Sequence, residues 1–255
     1  MKQMKFFLVA LMAVVMGMSV TSCMNGDDNT QVNDLPVLGK VKDSFLGLTF
    51  TSLDGFTFKS KNTVEGTTNF MPGDFIVATC SYDTEVDIDY TTNTINATIG
   101  STEKISGNAV YSTTKAEDEG EHPSYVSDRG VISITDLTPA MIDNYNLLVP
   151  IQYFVFEKIA SHTFFMVYYS DENELKGKTD LKLFLRHTST EEKAKETYRA
   201  FSYRVFDIRS AIEAYKNANE GRYPSNITIV SEANSSNNDV PKTTTTTPVT
   251  YTFRE

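Results

Sequence analysis

Tryptophan is absent, and the 255 residues hold only two cysteines and three histidines. The histidines, His122, His162 and His187, form no His-Glu-x-x-His pair, and there is no Cys-x-x-Cys, so the usual zinc spacings are missing. No Gly-x-Ser-x-Gly elbow and no glycine loop of the Walker or Rossmann type occurs, so the sequence marks of an α/β-hydrolase and of nucleotide binding are lacking. Beyond the first twenty or so residues no apolar run approaches the roughly 20 residues that a spanning helix needs. Basic residues are in the minority, 23 against 33 acids. That balance argues against nucleic acid, whose phosphates call for basic patches, and against attachment to anionic lipid by surface charge.

What is present begins at the N-terminus. Lys2 and Lys5 precede an apolar run from Phe6 to Met18, and small residues lead into Val20-Thr21-Ser22-Cys23. A basic start, a short apolar stretch and small residues before a cut make a secretory signal. The ordinary Ala-x-Ala-like site is missing, and the pattern is similar to a bacterial lipobox, in which the cysteine becomes the first mature residue and carries the lipid. Residues 1–22 are therefore read as a removed signal peptide and Cys23 as the lipid attachment site. The chain is then anchored to a membrane without spanning it. Loss of the signal leaves 233 residues with 21 basic and 33 acidic side chains, a net charge of −12. With Cys23 lipidated, Cys80 has no disulfide partner, so stability must come from the core. Residues 23–34 read as a polar tether. The acids Asp27 and Asp28 resemble the surface-export signals of Bacteroidota-type lipoproteins and suit a plain solvated linker equally well.

From Leu35 the pattern is β. "LGKVKDSFLGLTFTSLDGFTFKS" reads as two strands around Asp54-Gly55, a strong hairpin signal. Leu46, Leu48 and Phe50 share a face before the turn, and Phe56 and Phe58 share one after it. In "MPGDFIVATCSYDTEVDIDY" the even positions from Ile76 to Tyr90 are almost all apolar, while the odd ones turn acidic at Asp83, Glu85, Asp87 and Asp89. This predicts one long strand of a small curved barrel. "TINATIG" adds another. Residues 115–127, "KAEDEGEHPSYVS", have no apolar period and read as a linker between a domain over 35–114 and one over 128–255. Beyond it "RGVISITDL" reads as a strand, and Thr138-Pro139 as the start of a helical turn. "NLLVPIQYFVFEKI", "SHTFFMVYYS", "DLKLFLRH", "YRAFSYRVFDI", "SNITIV" and "PVTYTFRE" read as further strands. Asp207 is placed to cap a one- or two-turn helix bearing Ile208, Ile212 and Tyr215. "SEANSSNNDVPKTTTTT" reads as a polar loop. The expected fold class is all-β.

The lipobox, then "SLDGFTFKS" and "MPGDFIVATCSYD", then "SHTFFMVYYS", "LKLFLRHTS" and "FSYRVFDI", together resemble the NigD-like lipoproteins over essentially the whole chain. The resemblance implies an N-terminal OB-like barrel followed by a C-terminal β-sandwich. It implies no catalytic residue, and Cys23 is the one functional position it carries over. The family takes its name from a gene in a bacteriocin cluster.

The candidate chemistry is sparse. Successive same-face residues on a strand are about 6.6 Å apart, so one calcium ion would meet two of the acids at 83–89 and lack the six to eight oxygens it takes. The stripe reads as the wet face of a strand. His162 and His187 sit at strand ends, where they could meet around a metal but more commonly satisfy backbone groups. Cys80, on an apolar face, reads as a buried, unreactive thiol. Phe45, Phe56 and Phe58 could stack on sugars in an OB-like barrel and read instead as core. The expectation is a lipid-anchored outer-membrane protein, a non-enzymatic binding or accessory module with no cofactor, no metal and no catalytic residue. It would meet the membrane through Cys23 and a protein or glycan partner, but no nucleic acid. The alternatives are bacteriocin-associated immunity and an extracellular hydrolase.

Overall fold

A computed structural model describes residues 30–45, 47–64, 69–118, 125, 127–134, 138–156, 161–173, 177, 179–192, 195–233 and 243–250. Cys23, Leu46, His122 and the terminal residues 251–255 lie outside them. The chain divides into two compact units between Ser106 and Gly107.

The first unit contains β1 (Gln31–Asp43), β2 (Thr49–Ser52), β3 (Thr57–Ser60), β4 (Phe75–Asp83), β5 (Ile88–Asp89) and β6 (Thr94–Lys104). β1 pairs with β2 and β4, β2 with β3, and β4 with β6, all antiparallel. Parallel pairing of β3 with β6 closes the ring. Five strands thus close a barrel of OB-like topology, with β5 added at the side of β6. Alternation supplies the filling: Val37 and Val41, Leu48 and Phe50, Phe58, Ile76, Ala78 and Cys80, and Ile95, Ala97 and Ile99 all point inward. The Asp54-Gly55 turn forms as expected, with Gly55 at φ +97°. It brings Phe50 opposite Phe58, their rings stacked with centroids 5.2 Å apart. Register shifts in β1 at Val32/Leu35 and in β4 at Ala78/Cys80 let the long strands bend around the barrel. Gly39 makes close packing possible, since a Cβ there would collide with the Phe50 ring and stand 2.7 Å from the Thr51 carbonyl oxygen.

Several expectations for this unit need correction. Strand pairing starts at Gln31, opposite Asp83, so residues 31–34 belong to the barrel and not to a tether. The long acidic strand ends at Asp83, where residues 84–87 turn the chain. Val86 and Tyr90, expected on a buried face, are 80% and 69% exposed. Phe58 is core and Phe56 packs against it, but Phe45 is 91% exposed in the β1–β2 connection.

The second unit contains β7 (Asn108–Thr113), a helical turn (Lys115–Asp118), β8 (Ala140–Met141), β9 (Asn146–Val155), β10 (His162–Tyr169), β11 (Asp180–Ser189), β12 (Tyr198–Asp207), a helix (Arg209–Ala218), β13 (Asn226–Ala233) and β14 (Thr243–Thr250). The strand order is β14-β13-β11-β10-β7-β12-β9-β8. The two ends of this sheet fold over each other as a sandwich. Leu147, Val149, Ile151 and Tyr153 of β9 share a core with Phe164 and Met166 of β10, Leu183 of β11, and Ile212 and Tyr215 of the helix. Val167, Tyr169, Phe184 and Val230 form a second cluster with Phe165 and Tyr125. Burial on both faces explains the unbroken apolar reading of "TFFMVYY".

Here too the structure departs from the sequence reading. β7 is hydrogen-bonded to β10 and β12, so residues 107–114 fold with the second unit, ahead of the stretch read as a linker. Val131 and Ser133 make single bridges, not a strand, and Thr138-Pro139 starts no helix. The helix after Asp207 runs ten residues, and the threonine run 243–247 is strand, paired with β13. Among the described residues no helix is long and apolar enough to cross a membrane.

Candidate functional site

The second unit encloses a polar cluster at one end of its core. Antiparallel register sets His162 opposite Ser189 and Phe164 opposite His187, so the two histidines point inward as diagonal neighbours on one face. Tyr153 covers both from β9, with ring centroids 5.0 and 5.3 Å away, and Phe164 stacks on His187 at 4.4 Å. His162 Nδ1 lies 3.0 Å from His187 Nε2, His162 Nε2 lies 3.1 Å from Glu191 Oε2, and His187 Nδ1 lies 3.2 Å from the Gly130 carbonyl oxygen.

These contacts determine where the hydrogens go. A carbonyl only accepts, so His187 carries its hydrogen on Nδ1 and presents a bare Nε2. His162 must then donate from Nδ1. Its Nε2 meets a carboxylate oxygen that already accepts the Phe156 N–H at 2.8 Å, so one proton has to lie between Nε2 and Glu191. Burial, and after it the neighbouring His162, push His187 down to about 3, which keeps it neutral.

Arg129 closes the other side. It enters on the segment leading to Val131, whose N–H bonds the Glu232 carbonyl, and its own N–H bonds the His187 carbonyl at 3.1 Å. Its Nε donates to Glu196 Oε1 at 2.8 Å, its Nη2 to the Glu191 carbonyl at 2.8 Å, and Nη1 stands 3.2 Å from Asp128 Oδ2. His162, His187, Arg129 and Glu196 are each buried. Ser189 Oγ is 3.4 Å from His162 Nε2 and accepts the Glu191 N–H. Serine and carboxylate thus address the same ring nitrogen, whereas a catalytic triad uses opposite nitrogens of the histidine. An open groove of about 510 Å³ in this unit is lined by Asp171, Glu172, Asn173, Thr179, Asp180, Lys182 and Thr228, with no histidine.

The sequence reading allowed for a meeting of His162 and His187, and the fold makes it. It missed Arg129, Glu191 and Glu196, for which the one local hint was "HTSTEE", two acids following a strand-end histidine. It also missed a second buried chain. The Tyr169 hydroxyl donates to Asp118, Arg186 Nη2 donates to Tyr169 at 3.1 Å, and Arg186 Nη1 donates to Glu232 at 2.8 Å. Burial, then the Asp118 bond, push the Tyr169 phenol up to about 12.

In the first unit the acids at 83–89 build a turn. Asp83 accepts the Glu85 N–H and the Thr30 hydroxyl, Asp87 accepts Lys61 Nζ and the Asp83 N–H, and Asp89 accepts the Thr92 hydroxyl and the Thr91 N–H. Those bonds hold all three carboxyls below their usual range and occupy oxygens that a calcium ion would need. Cys80 is free and buried, and burial pushes its thiol up to about 12.

No protein-family model and no curated protein matches the sequence. Solved structures do match in fold. A candidate lipoprotein of Bacteroides fragilis is 22% identical, covering 88% of this chain and all of its own, with a TM-score of 0.68. A NigD-like immunity protein of Bacteroides caccae is 12% identical over 87% of this chain and 93% of its own, with a TM-score of 0.52. A candidate toxin-related protein of Parabacteroides distasonis is 10% identical over 85% and 92%, also at 0.52. The resemblance to NigD-like lipoproteins drawn from the sequence therefore holds at the level of fold, over both units.

Proposed function

We propose that this chain is a lipid-anchored protein of the outer membrane, attached through Cys23, and that it works as a non-enzymatic binding or accessory module for an envelope protein or glycan. The observation that carries the reading is the lipobox-like Val20-Thr21-Ser22-Cys23 standing directly before a two-unit β fold shared with a Bacteroides candidate lipoprotein. In support, the polar cluster around His162 is enclosed, with Ser189 and Glu191 on the same histidine nitrogen, which suits structure more than turnover. The test is protease shaving of intact cells beside a Cys23→Ala version, followed by capture from solubilised envelope. Cleavage of the anchored form and recovery of one dominant partner are expected. A Cys23→Ala protein that stays in the membrane fraction, or captures that return no partner, would count against it.

A second reading is immunity or self-protection, favoured by the shared fold of the NigD-like immunity protein and of the toxin-related protein. It requires a toxin gene beside this one and sensitivity to that toxin on deletion.

A further inference from the structure

We propose that His162, Glu191 and Glu196 form a buried site for one divalent transition-metal ion, with zinc the best match. One donor atom from each residue lies within 4.8 Å of the other two. The tetrahedral spacing for zinc is roughly 3.4 Å at bond lengths near 2.0–2.2 Å, and His162 Nε2 and Glu191 Oε2 are already 3.1 Å apart. A modest side-chain movement of Glu196 completes the set. A nitrogen with two carboxylates suits zinc or manganese and is short of the all-oxygen shell that calcium takes.

Two independent features point to a cation here. The first is orientation. Metal-binding histidines characteristically donate their second ring N–H to a fixed acceptor. His162 Nδ1 has such an acceptor in His187 Nε2, itself held in one tautomer by the Gly130 carbonyl, so the lone pair of Nε2 is aimed at the carboxylates. Arg129 on Glu196 and the Phe156 N–H on Glu191 hold the other two donors in the same way. The second is donor chemistry: two carboxylates, Glu191 and Glu196, converge on one imidazole nitrogen, a nitrogen-and-carboxylate set that zinc takes.

The test uses the mature chain, stripped with EDTA and titrated with zinc chloride at pH 7.5 by calorimetry, with the melting midpoint followed in parallel. One ion per chain and a raised midpoint are expected. His162→Gln should weaken binding at least about 100-fold, and His187→Phe, which removes the acceptor of His162 Nδ1 and touches no proposed ligand atom, roughly 10- to 100-fold. His122→Gln and Asp83→Asn should bind as the parent does. Because the ion displaces a proton, affinity should fall as the pH drops from 7.5 to 6. Zinc-soaked crystals of the unaltered chain test the site even where a variant does not fold, with an anomalous peak expected between His162, Glu191 and Glu196. Absence of that peak, an unmoved midpoint, or binding that survives His162→Gln overturns the proposal.

Discussion

His162 Nδ1 and His187 Nε2 stand 3.0 Å apart inside the second unit, and the Gly130 carbonyl beyond His187 decides that His162 is the donor. The pair is thus a directed relay ending at Glu191, and its protonation is tied to folding.

The metal-free protein should lose stability in mild acid through His187. Its folded pKa, about 3, lies below the ordinary 6.5. Between those values the unfolded chain binds a proton that the folded one refuses, so stability is full above pH 6.5 and falls as pH drops toward 3. Of the groups facing it, His162 and Arg129 push it further down, and the Gly130 carbonyl opposes them. The slope attributable to this group reaches about 1.4 kcal/mol per pH unit. Urea midpoints measured from pH 7.5 to 4.5 should show it, and His187→Phe should flatten it.

Replacing Arg129 with Met should cost about 3–5 kcal/mol, because Glu196 is left as a buried carboxylate without its partner. The double variant Arg129→Met with Glu196→Leu should recover much of that loss. Equilibrium denaturation of the three proteins checks it, and a single variant as stable as the parent would contradict the pairing.

Gly39→Ala should destabilise the barrel by about 1–3 kcal/mol through overpacking against Phe50 and Thr51. A Phe50→Leu change in the same chain should relieve part of the strain. Thermal melting of the single and double variants would show whether the two effects couple.

Cys80 should resist thiol reagents at pH 8 in the folded protein, with its sulfur buried and its thiol pushed up to about 12. Labelling should follow the denaturant unfolding curve. Rapid native labelling would mean that the barrel opens locally at β4.

Tyr169→Phe should cost about 1.5–3 kcal/mol by removing the hydroxyl that joins Asp118 to Arg186. Asp118 lies in a stretch that reads as charged linker, so a loss of this size would establish that the helical turn is docked. A neutral result would not be compatible with the bond.

Fold class and most of the strands were legible in the order of residues alone. Side-chain alternation is a local property, so the inward rows of β4 and β6 and the Asp54-Gly55 turn can be read from a few neighbouring residues. The same logic failed at Val86 and Tyr90, where the apolar row continued past the turn that Asp83 and Asp87 build through their own side chains. It failed again at the threonine run 243–247, whose polar composition hides a strand supplied with a partner by β13. Three outcomes came from long-range folding. β3 meets β6 to close the barrel, β7 joins the second sheet, and Arg129, His162, His187, Glu191 and Glu196 share one enclosure. They depend on pairings between distant segments, chosen by total burial and by the need to satisfy every buried charge, and neither quantity is written in any short stretch of the chain.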